Sequence, residues 1–163
     1  MTALMNAIQK NDVAQVKKLI TQGANVDELD ANRDAPLIIA AYKGFSDIVR
    51  LLLEAGADVT AVDPGMKATA LHAAAYAGRT EAAKLLVEYK IDIDKQGPYN
   101  GYTALHDAIW QNNVETAEVL INAGANLHIR ANTGETPLEF ARSKNRQKIV
   151  ALIEQRIASD GGE

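Results

Sequence analysis

Residues Thr103-Ala104-Leu105-His106 repeat Thr69-Ala70-Leu71-His72, which lie 34 positions earlier. Related segments begin at Ala35 and Thr136, and the shared leucine recurs after 34, 34 and 33 residues. A second segment follows about 19 residues after each of the first three leucines: Gly56-Ala57-Asp58-Val59, Lys90-Ile91-Asp92-Ile93 and Gly124-Ala125-Asn126-Leu127. Self-similarity at a constant period of this length is typical of repeat proteins. Extrapolation towards the N-terminus reaches Leu4, so the spacing predicts five units.

Each unit carries the local signals of a turn, a short helix, a second turn and a second helix. Thr69, Thr103 and Thr136 stand where an N-cap hydroxyl accepts a hydrogen bond from an unpaired helical N–H group. Prolines 36 and 137 suit the first helical position, where no N–H donor is needed. The second helix places aliphatic residues at helical spacing. Because one such unit cannot bury its own apolar face, the pattern predicts a stack of units.

These residues resemble the ankyrin repeat, whose pattern is roughly D-x-x-G-x-T-P-L-H-x-A-A followed by an aliphatic helix and G-A-D-V. The segments at 34–59, 100–112 and 119–127 match it best, and the resemblance covers about residues 3–156. It implies an all-α helix-turn-helix solenoid with short turn or hairpin connections, in which the turn tips and first helices form a concave binding groove. We expect one domain at 1–157, with units of about 1–28, 29–61, 62–95, 96–129 and 130–157, and a frayed tail at 158–163.

Several positions depart from the family pattern. Arg33 and Lys67 stand where the turn glycine is usual, and Lys90 replaces the glycine that follows the second helix. We therefore expect the bend at Lys90 to be made in a different way. The irregular repeats indicate a natural protein rather than a consensus design.

Composition excludes several classes of function. The chain of 163 residues has a net charge of −4, whereas proteins that bind nucleic acid through its phosphates are usually positively charged. It has no cysteine, which excludes disulfides and thiolate metal sites. No apolar run is long enough to span a bilayer, and the N-terminus lacks the pattern of a signal peptide. We expect a cytoplasmic protein, periplasmic or secreted only if a leader has been removed, that is monomeric when unbound.

Candidate catalytic residues do not converge on a known motif. His72 and His106 occupy equivalent positions in adjacent units, about one helix spacing of 8–10 Å apart, so we expect hydrogen bonds to turn backbone rather than a shared zinc ion. Asp34 and Asp107 lie two units apart, which disfavours an acid–base pair and favours solvated carboxylates. We therefore expect no enzymatic activity, no cofactor and no metal ion.

Four basic residues, Arg142, Lys144, Arg146 and Lys148, fall within seven positions of the last unit. They are interpreted either as a docking point for an acidic partner or phosphate, or as a polar cap. A terminal unit has no neighbour on one side and needs a polar face there. The cap is therefore the favoured interpretation.

Aromatic residues concentrate on the predicted groove. By the resemblance, the groove positions are the turn tips and the residues five and six after each repeated leucine. These 22 positions make up about one seventh of the chain, yet they hold five of its eight aromatic residues. The predicted protein-binding residues are Tyr42, Lys43, Met66, Tyr76, Tyr99, Tyr102, Trp110 and Gln111. The aromatic rings in this set either anchor a partner, as Trp and Tyr do at stable interfaces, or pack on one another along the groove floor.

The predicted function is a non-catalytic protein–protein interaction module that binds a partner protein through the concave groove. The alternative is a structural stabiliser or chaperone-like accessory of an enzyme. The charged residues at the groove positions predict a nearly neutral surface, which does not select a partner by long-range charge. They are Lys10, Lys43, Lys144, Asp34 and Glu135. Neither nucleic acid nor a membrane is expected as a partner.

Overall fold

The computed structural model describes residues 1–161 and contains ten α-helices in that range. They are α1 (Ala3–Gln9), α2 (Val13–Thr21), α3 (Pro36–Lys43), α4 (Ser46–Glu54), α5 (Ala70–Ala77), α6 (Thr80–Glu88), α7 (Ala104–Trp110), α8 (Val114–Asn122), α9 (Pro137–Ser143) and α10 (Gln147–Gly161). No β-strand occurs within the described range. Two helices per unit confirm the predicted all-α solenoid of five repeats.

The helices stack in two layers. The first helices, α1, α3, α5, α7 and α9, contact one another in that order, and the second helices, α2, α4, α6, α8 and α10, do the same. Each first helix also packs on the second helix of its own unit. The core runs the length of the stack and is built from Leu, Ile and many alanines. Ala40, Ala41, Ala74 and Ala75 are fully buried, so neighbouring first helices approach closely.

The predicted caps are confirmed. Thr69, Thr103 and Thr136 each accept a hydrogen bond from the backbone N–H three residues on, and the side chain at that third position bonds back to the threonine backbone. Pro36 and Pro137 are the first residues of α3 and α9. The turns that precede these helices close like hairpins, as in the backbone hydrogen bond from Gly97 N to Tyr102 O at 2.8 Å.

The bend at Lys90 is made in the same way as at the equivalent glycines, which corrects the expectation of a different route. Lys90 has φ 60°, and Gly56 and Gly124 have φ 86° and 93°. Backbone hydrogen bonds from Lys90 to Val87 and from Ile91 to Leu86 end α6, as the corresponding bonds end α4 at Gly56 and α8 at Gly124. The stack therefore holds a lysine in the left-handed region, where a side chain costs about 1–2 kcal/mol.

The C-terminal helix is longer than the sequence suggested. Residues 158–161 of the expected frayed tail belong to α10, which continues to Gly161. Its last turns are supported by an ion pair between Arg156 Nε and Asp160 Oδ2 at 3.4 Å, and by Ile157, which packs against the core. Residues 162 and 163 of that tail lie outside the described residues.

Hydrogen bonds between successive units join the end of one first helix to the turn that precedes the second helix of the next unit. Arg79 donates from Nε to Tyr42 O at 3.0 Å, and Asn113 donates from Nδ2 to Ala75 O at 2.8 Å and Tyr76 O at 3.0 Å. Arg146 repeats the contact by donating to Ile109 O and Trp110 O. Each side chain thus bonds a carbonyl group at the end of the preceding first helix that no backbone N–H reaches, at Tyr42, Tyr76 or Trp110. We call these three residues the latch.

Candidate functional site

A cavity of about 820 Å³ opens on the concave side of the stack. Turn tips and first helices of units one to four line this cavity, which we call the groove. Its lining residues are Gln9, Asp30, Asn32, Asp34, Ile38, Ile39, Tyr42, Lys43, Asp63, Met66, Ala68, His72, Ala73, Tyr76, Gly97, Asn100, Tyr102, Asp107 and Trp110. These lining residues come from four successive repeats.

Six of the eight predicted protein-binding residues line the groove: Tyr42, Lys43, Met66, Tyr76, Tyr102 and Trp110. Tyr99 and Gln111 are exposed but are not among the lining residues. The structure thus brings most of the predicted set onto one surface.

The aromatic side chains of the groove fall into two groups. Tyr42 and Tyr76 are about half exposed, at 53% and 47%, and present open rings in units two and three. At the other end, Tyr102 and Trp110 pack against the buried Phe140 with ring centroids 5.2 and 6.2 Å apart. Tyr102 also stacks on His106 at 5.5 Å. Ring packing therefore accounts for the C-terminal end of the strip, and open rings remain at its centre.

The basic run of the last unit is largely engaged within the molecule. Arg142 pairs with Glu154 at 2.9 Å, Arg146 belongs to the latch, and Lys144 Nζ lies 4.7 Å from the centroid of the Trp110 ring. Lys148 is exposed. Since three of the four cations already have partners, the arrangement supports the polar cap rather than a docking point.

His72 and His106 are buried and take up the predicted hydrogen bonds to turn backbone. In both rings Nδ1 accepts from the backbone N–H of the cap threonine, so Nε2 is assigned the proton. Nε2 of His72 then donates to Tyr102 O at 3.0 Å, and Nε2 of His106 donates to Glu135 O at 3.4 Å. Burial lowers the pKa of both rings, which keeps them neutral. These histidines tie each helix to the following turn.

Asp107 corrects the prediction of a solvated carboxylate. Its side chain is half-buried on α7, and loss of solvation raises its pKa to about 7. Asp34 lines the same cavity, and burial together with the charges of Asp30 and Asp63 raises its pKa too. Both carboxyl groups therefore border the groove, although they come from units two repeats apart.

The charge of the groove differs from the predicted near neutrality. Four aspartates and one lysine line the cavity: Asp30, Asp34, Asp63, Asp107 and Lys43. Asp30, Asp63 and Asp107 lie outside the positions chosen from the family pattern, and Lys10 and Lys144 do not line the cavity. The lining of the groove therefore carries more acidic than basic side chains.

Two of these aspartates organise the turns. Asp30 Oδ1 accepts from the backbone N–H groups of Asn32 and Asp34 at 2.8 and 2.9 Å. Asp63 accepts from three such groups, including Ala68 at 2.7 Å. A carboxylate that bonds to its own turn is a common device for fixing a tight bend. This role was readable from the Asp at the same place in both repeats, but the sequence analysis missed it.

No three His, Cys, Asp or Glu side chains among residues 1–161 are grouped so that they could hold a metal ion. In the same stretch, no helix has the length and apolar character needed to cross a membrane.

Comparison with known proteins identifies the family. The family model described as ankyrin repeats in three copies matches residues 1–63 and 62–131, and the chain therefore belongs to the ankyrin repeat family. Ankyrin repeats generally mediate protein–protein interaction and are typically non-catalytic.

Curated relatives match only in part. The chain is 42% identical over 60 residues to ankyrin repeat domain-containing protein 49 of Bos taurus, a match that covers 36% of the chain and 25% of that protein. It is 36% identical over 71 residues to an ankyrin repeat and KH domain-containing protein of Caenorhabditis briggsae, covering 44% of the chain and 3% of the relative. The palmitoyltransferase Hip14 of Drosophila melanogaster is 36% identical over 69 residues, covering 42% of the chain and 11% of that enzyme. The chain thus spans a quarter or less of each of these relatives.

Proposed function

We propose that this chain is a non-catalytic binding module that holds a partner protein in the groove. The observation that carries the proposal is the pair of open rings, Tyr42 and Tyr76, beside a cavity of about 820 Å³ on the concave face. Tyrosine and tryptophan supply much of the binding energy at protein interfaces, because they offer a large contact area with few rotatable bonds.

The stack supports this role by holding the groove in shape. The latch residues and the histidines join units two to five to one another by side-chain hydrogen bonds. A partner that meets a preformed surface loses less conformational freedom than one that must order a loop. The open rings therefore offer anchors on a rigid support.

Affinity purification from the source cells, followed by mass spectrometry, tests the proposal. Tyr76→Ala is the most informative variant, since its ring is 47% exposed and lines the groove. Tyr89→Ala is the matched control, because Tyr89 is a 39% exposed tyrosine at the end of α6 that is not among the lining residues. A protein retained by the wild type and by Tyr89→Ala, but lost with Tyr76→Ala, supports the proposal.

Trp110→Ala separates binding from packing. Its ring is 42% exposed and stacks on Phe140, so its loss should cost less than the 3–5 kcal/mol of a buried aromatic truncation. We expect the variant to fold and to bind the same partner about 2 kcal/mol more weakly. A Trp110→Ala variant that binds normally but unfolds several kcal/mol more easily would show that this ring is a packing residue only.

A further inference from the structure

The groove combines open aromatic rings with an excess of acidic side chains. Asp30 and Asp63 are engaged by turn N–H groups, whereas Asp107 makes no ion pair with any residue in 1–161. Removal from water is the cause of its raised pKa, with no stabilising hydrogen bond to oppose it. A cation that reached Asp107 would therefore supply the interaction that its carboxylate lacks.

The repeat geometry places rings beside this carboxyl. Asp107 and Trp110 are three residues apart on α7, so they lie on the same face of the helix. Tyr76 holds on α5 the position that Trp110 holds on α7, and Ala73 holds there the position of Asp107. All four residues line the groove. Because Ala73 is only a methyl group, it leaves room next to Asp107 on the α5 side.

The chain itself shows that the Trp110 ring attracts a cation. Lys144 Nζ lies 4.7 Å from the ring centroid, and it comes from the C-terminal flank of α9, as the stacked Phe140 comes from α9. The residues that line the groove run from Gln9 to Trp110 and include none from α9. A second cation can therefore approach from the α5 side without displacing Lys144.

We infer that the groove takes a segment of the partner protein that presents an arginine, with its guanidinium on Asp107 and its stem against Tyr76 and Trp110. This inference rests on the proposed function. Arginine fits better than lysine, since its planar guanidinium bonds a carboxylate with two N–H groups, stacks on aromatic rings and is weakly hydrated. The aspartates at 30, 34 and 63 along the same strip favour a basic segment on either side of that arginine.

Binding of such a segment depends on pH in a defined direction. Ionised Asp107 pairs with the guanidinium and protonated Asp107 does not, so affinity falls as the pH drops through about 7. The titratable and charged groups on the surrounding elements are His72 and Tyr76 of α5, Tyr102 before α7, His106 of α7, Glu135 before α9, and Lys144. Burial lowers the pKa of both histidines and raises that of Tyr102, so these three groups keep their charge state between pH 7 and 8.

A random peptide library displayed on phage is the probe. Panning at pH 8 on the wild type, with depletion on Tyr76→Ala, selects peptides that depend on the groove. We expect these peptides to share one arginine. Their synthetic forms are then titrated while the fluorescence of Trp110, the only tryptophan of the chain, is recorded.

A double-mutant cycle locates the arginine. Replacing it by citrulline, which has the same shape and no charge, and replacing Asp107→Asn should each weaken binding about tenfold or more, and the two together should weaken it no further. Asp107→Glu keeps the charge and should retain the preference for arginine over citrulline. Glu118→Gln changes an exposed carboxyl of α8 and is the control that leaves affinity unchanged.

The outcomes separate this inference from the proposed function. Groove-dependent peptides that lack arginine, or a cycle in which the effects of citrulline and Asp107→Asn simply add, overturn the inference and leave the proposed function standing. If no selected peptide distinguishes the wild type from Tyr76→Ala, both are overturned. The unfolding midpoint of each variant is measured alongside, so that loss of folding is not read as loss of binding.

Discussion

Asp107 is a carboxyl group that the fold keeps partly away from water. Its pKa of about 7 lies well above the ordinary 3.8, so the folded state binds a proton that the unfolded chain releases. Its contribution to stability is fully present below pH 3.8 and is lost as the pH rises to about 7. Ionisation of this carboxyl group therefore destabilises the fold at neutral pH.

We expect Asp107→Asn to gain stability relative to the wild type as the pH rises. The difference in unfolding free energy should grow by roughly 2–5 kcal/mol between pH 4 and pH 8, because only the wild type has a carboxylate to ionise there. Urea denaturation at both pH values measures it. Acidification also destabilises the fold through His72 and His106, because burial lowers the pKa of both rings. Both proteins carry these histidines, so this effect cancels in the difference. An identical difference at pH 4 and pH 8 would contradict the raised pKa.

At the residue scale, several hydrogen bonds could be predicted from the sequence, whereas the solvent exposure of individual side chains could not. The threonine caps and histidine hydrogen bonds were predictable because they join groups three residues apart, or join a first helix to the turn of the next repeat. The burial of Asp107 was not, since it depends on how closely neighbouring helices pack around one position. For the same reason, counting charges at the groove positions of the family pattern did not predict that the groove is acidic.

Asn113 shows how one side chain joins two elements. Its amide donates two hydrogen bonds to the end of α5, at Ala75 O and Tyr76 O. Asn113→Ala should lower the unfolding free energy by about 1–3 kcal/mol, since it leaves both carbonyls without this donor. Asn122→Ala, an exposed position at the end of α8, is the control and should change it by less than about 0.5 kcal/mol. Equal effects of the two substitutions in chemical denaturation would show that the latch contributes nothing.

The left-handed backbone at Lys90, just after α6, can be tested by substitution. Because its φ is 60°, Lys90→Gly should relieve strain and raise stability by up to about 1 kcal/mol, after the extra freedom of the unfolded chain is deducted. Gly124→Lys is the reciprocal change at the equivalent position, where nothing lies within 4 Å of an added Cβ. It should destabilise by a similar amount. The interpretation fails if the two changes shift the denaturation midpoint in the same direction.

At the element scale, the sequence predicted where helices begin but not how they are joined. Start signals are local, so Pro36 and Pro137 marked α3 and α9 correctly. The latch joins residues 36–38 positions apart, and its members are two arginines and an asparagine with no shared chemistry beyond donating N–H groups. Arg146 was accordingly read as part of a charged cap.

Residues 1–161 form a linear array in which the main contacts between helices lie within a unit or between adjacent units. The middle units are covered on both sides and the end units on one. Hydrogen exchange should therefore be slowest in α3 to α8 and faster in α1, α2 and the last turns of α10. Protection at residues 150–161 equal to that of α6 would argue against a linear distribution of stability.

Leu86→Ala probes the same architecture by mutation. Leu86 is fully buried on α6, which lies between α4 and α8, and its truncation should cost about 2–5 kcal/mol. The loss should appear as faster exchange in units two to four. An unfolding free energy within 1 kcal/mol of the wild type would mean that the stack repacks around the cavity.

At the scale of the whole molecule, the repeat period predicted the number of units and their stacking, because a constant spacing of one motif is compatible with few arrangements. The end of α10 was the exception, since the repeat pattern stops before it and the helix is supported by Ile157 and an ion pair outside the pattern.

The central claim is that the groove holds a partner protein, and site-specific photo-crosslinking tests it directly. A photoreactive phenylalanine analogue is placed at Tyr42, Tyr76 or Tyr89, which changes one exposed ring at a time. In the source cells, irradiation should join the same partner to the chain from positions 42 and 76 and not from position 89. Crosslinks that form from position 89 and not from 42 or 76 would place the partner on another face and contradict the claim.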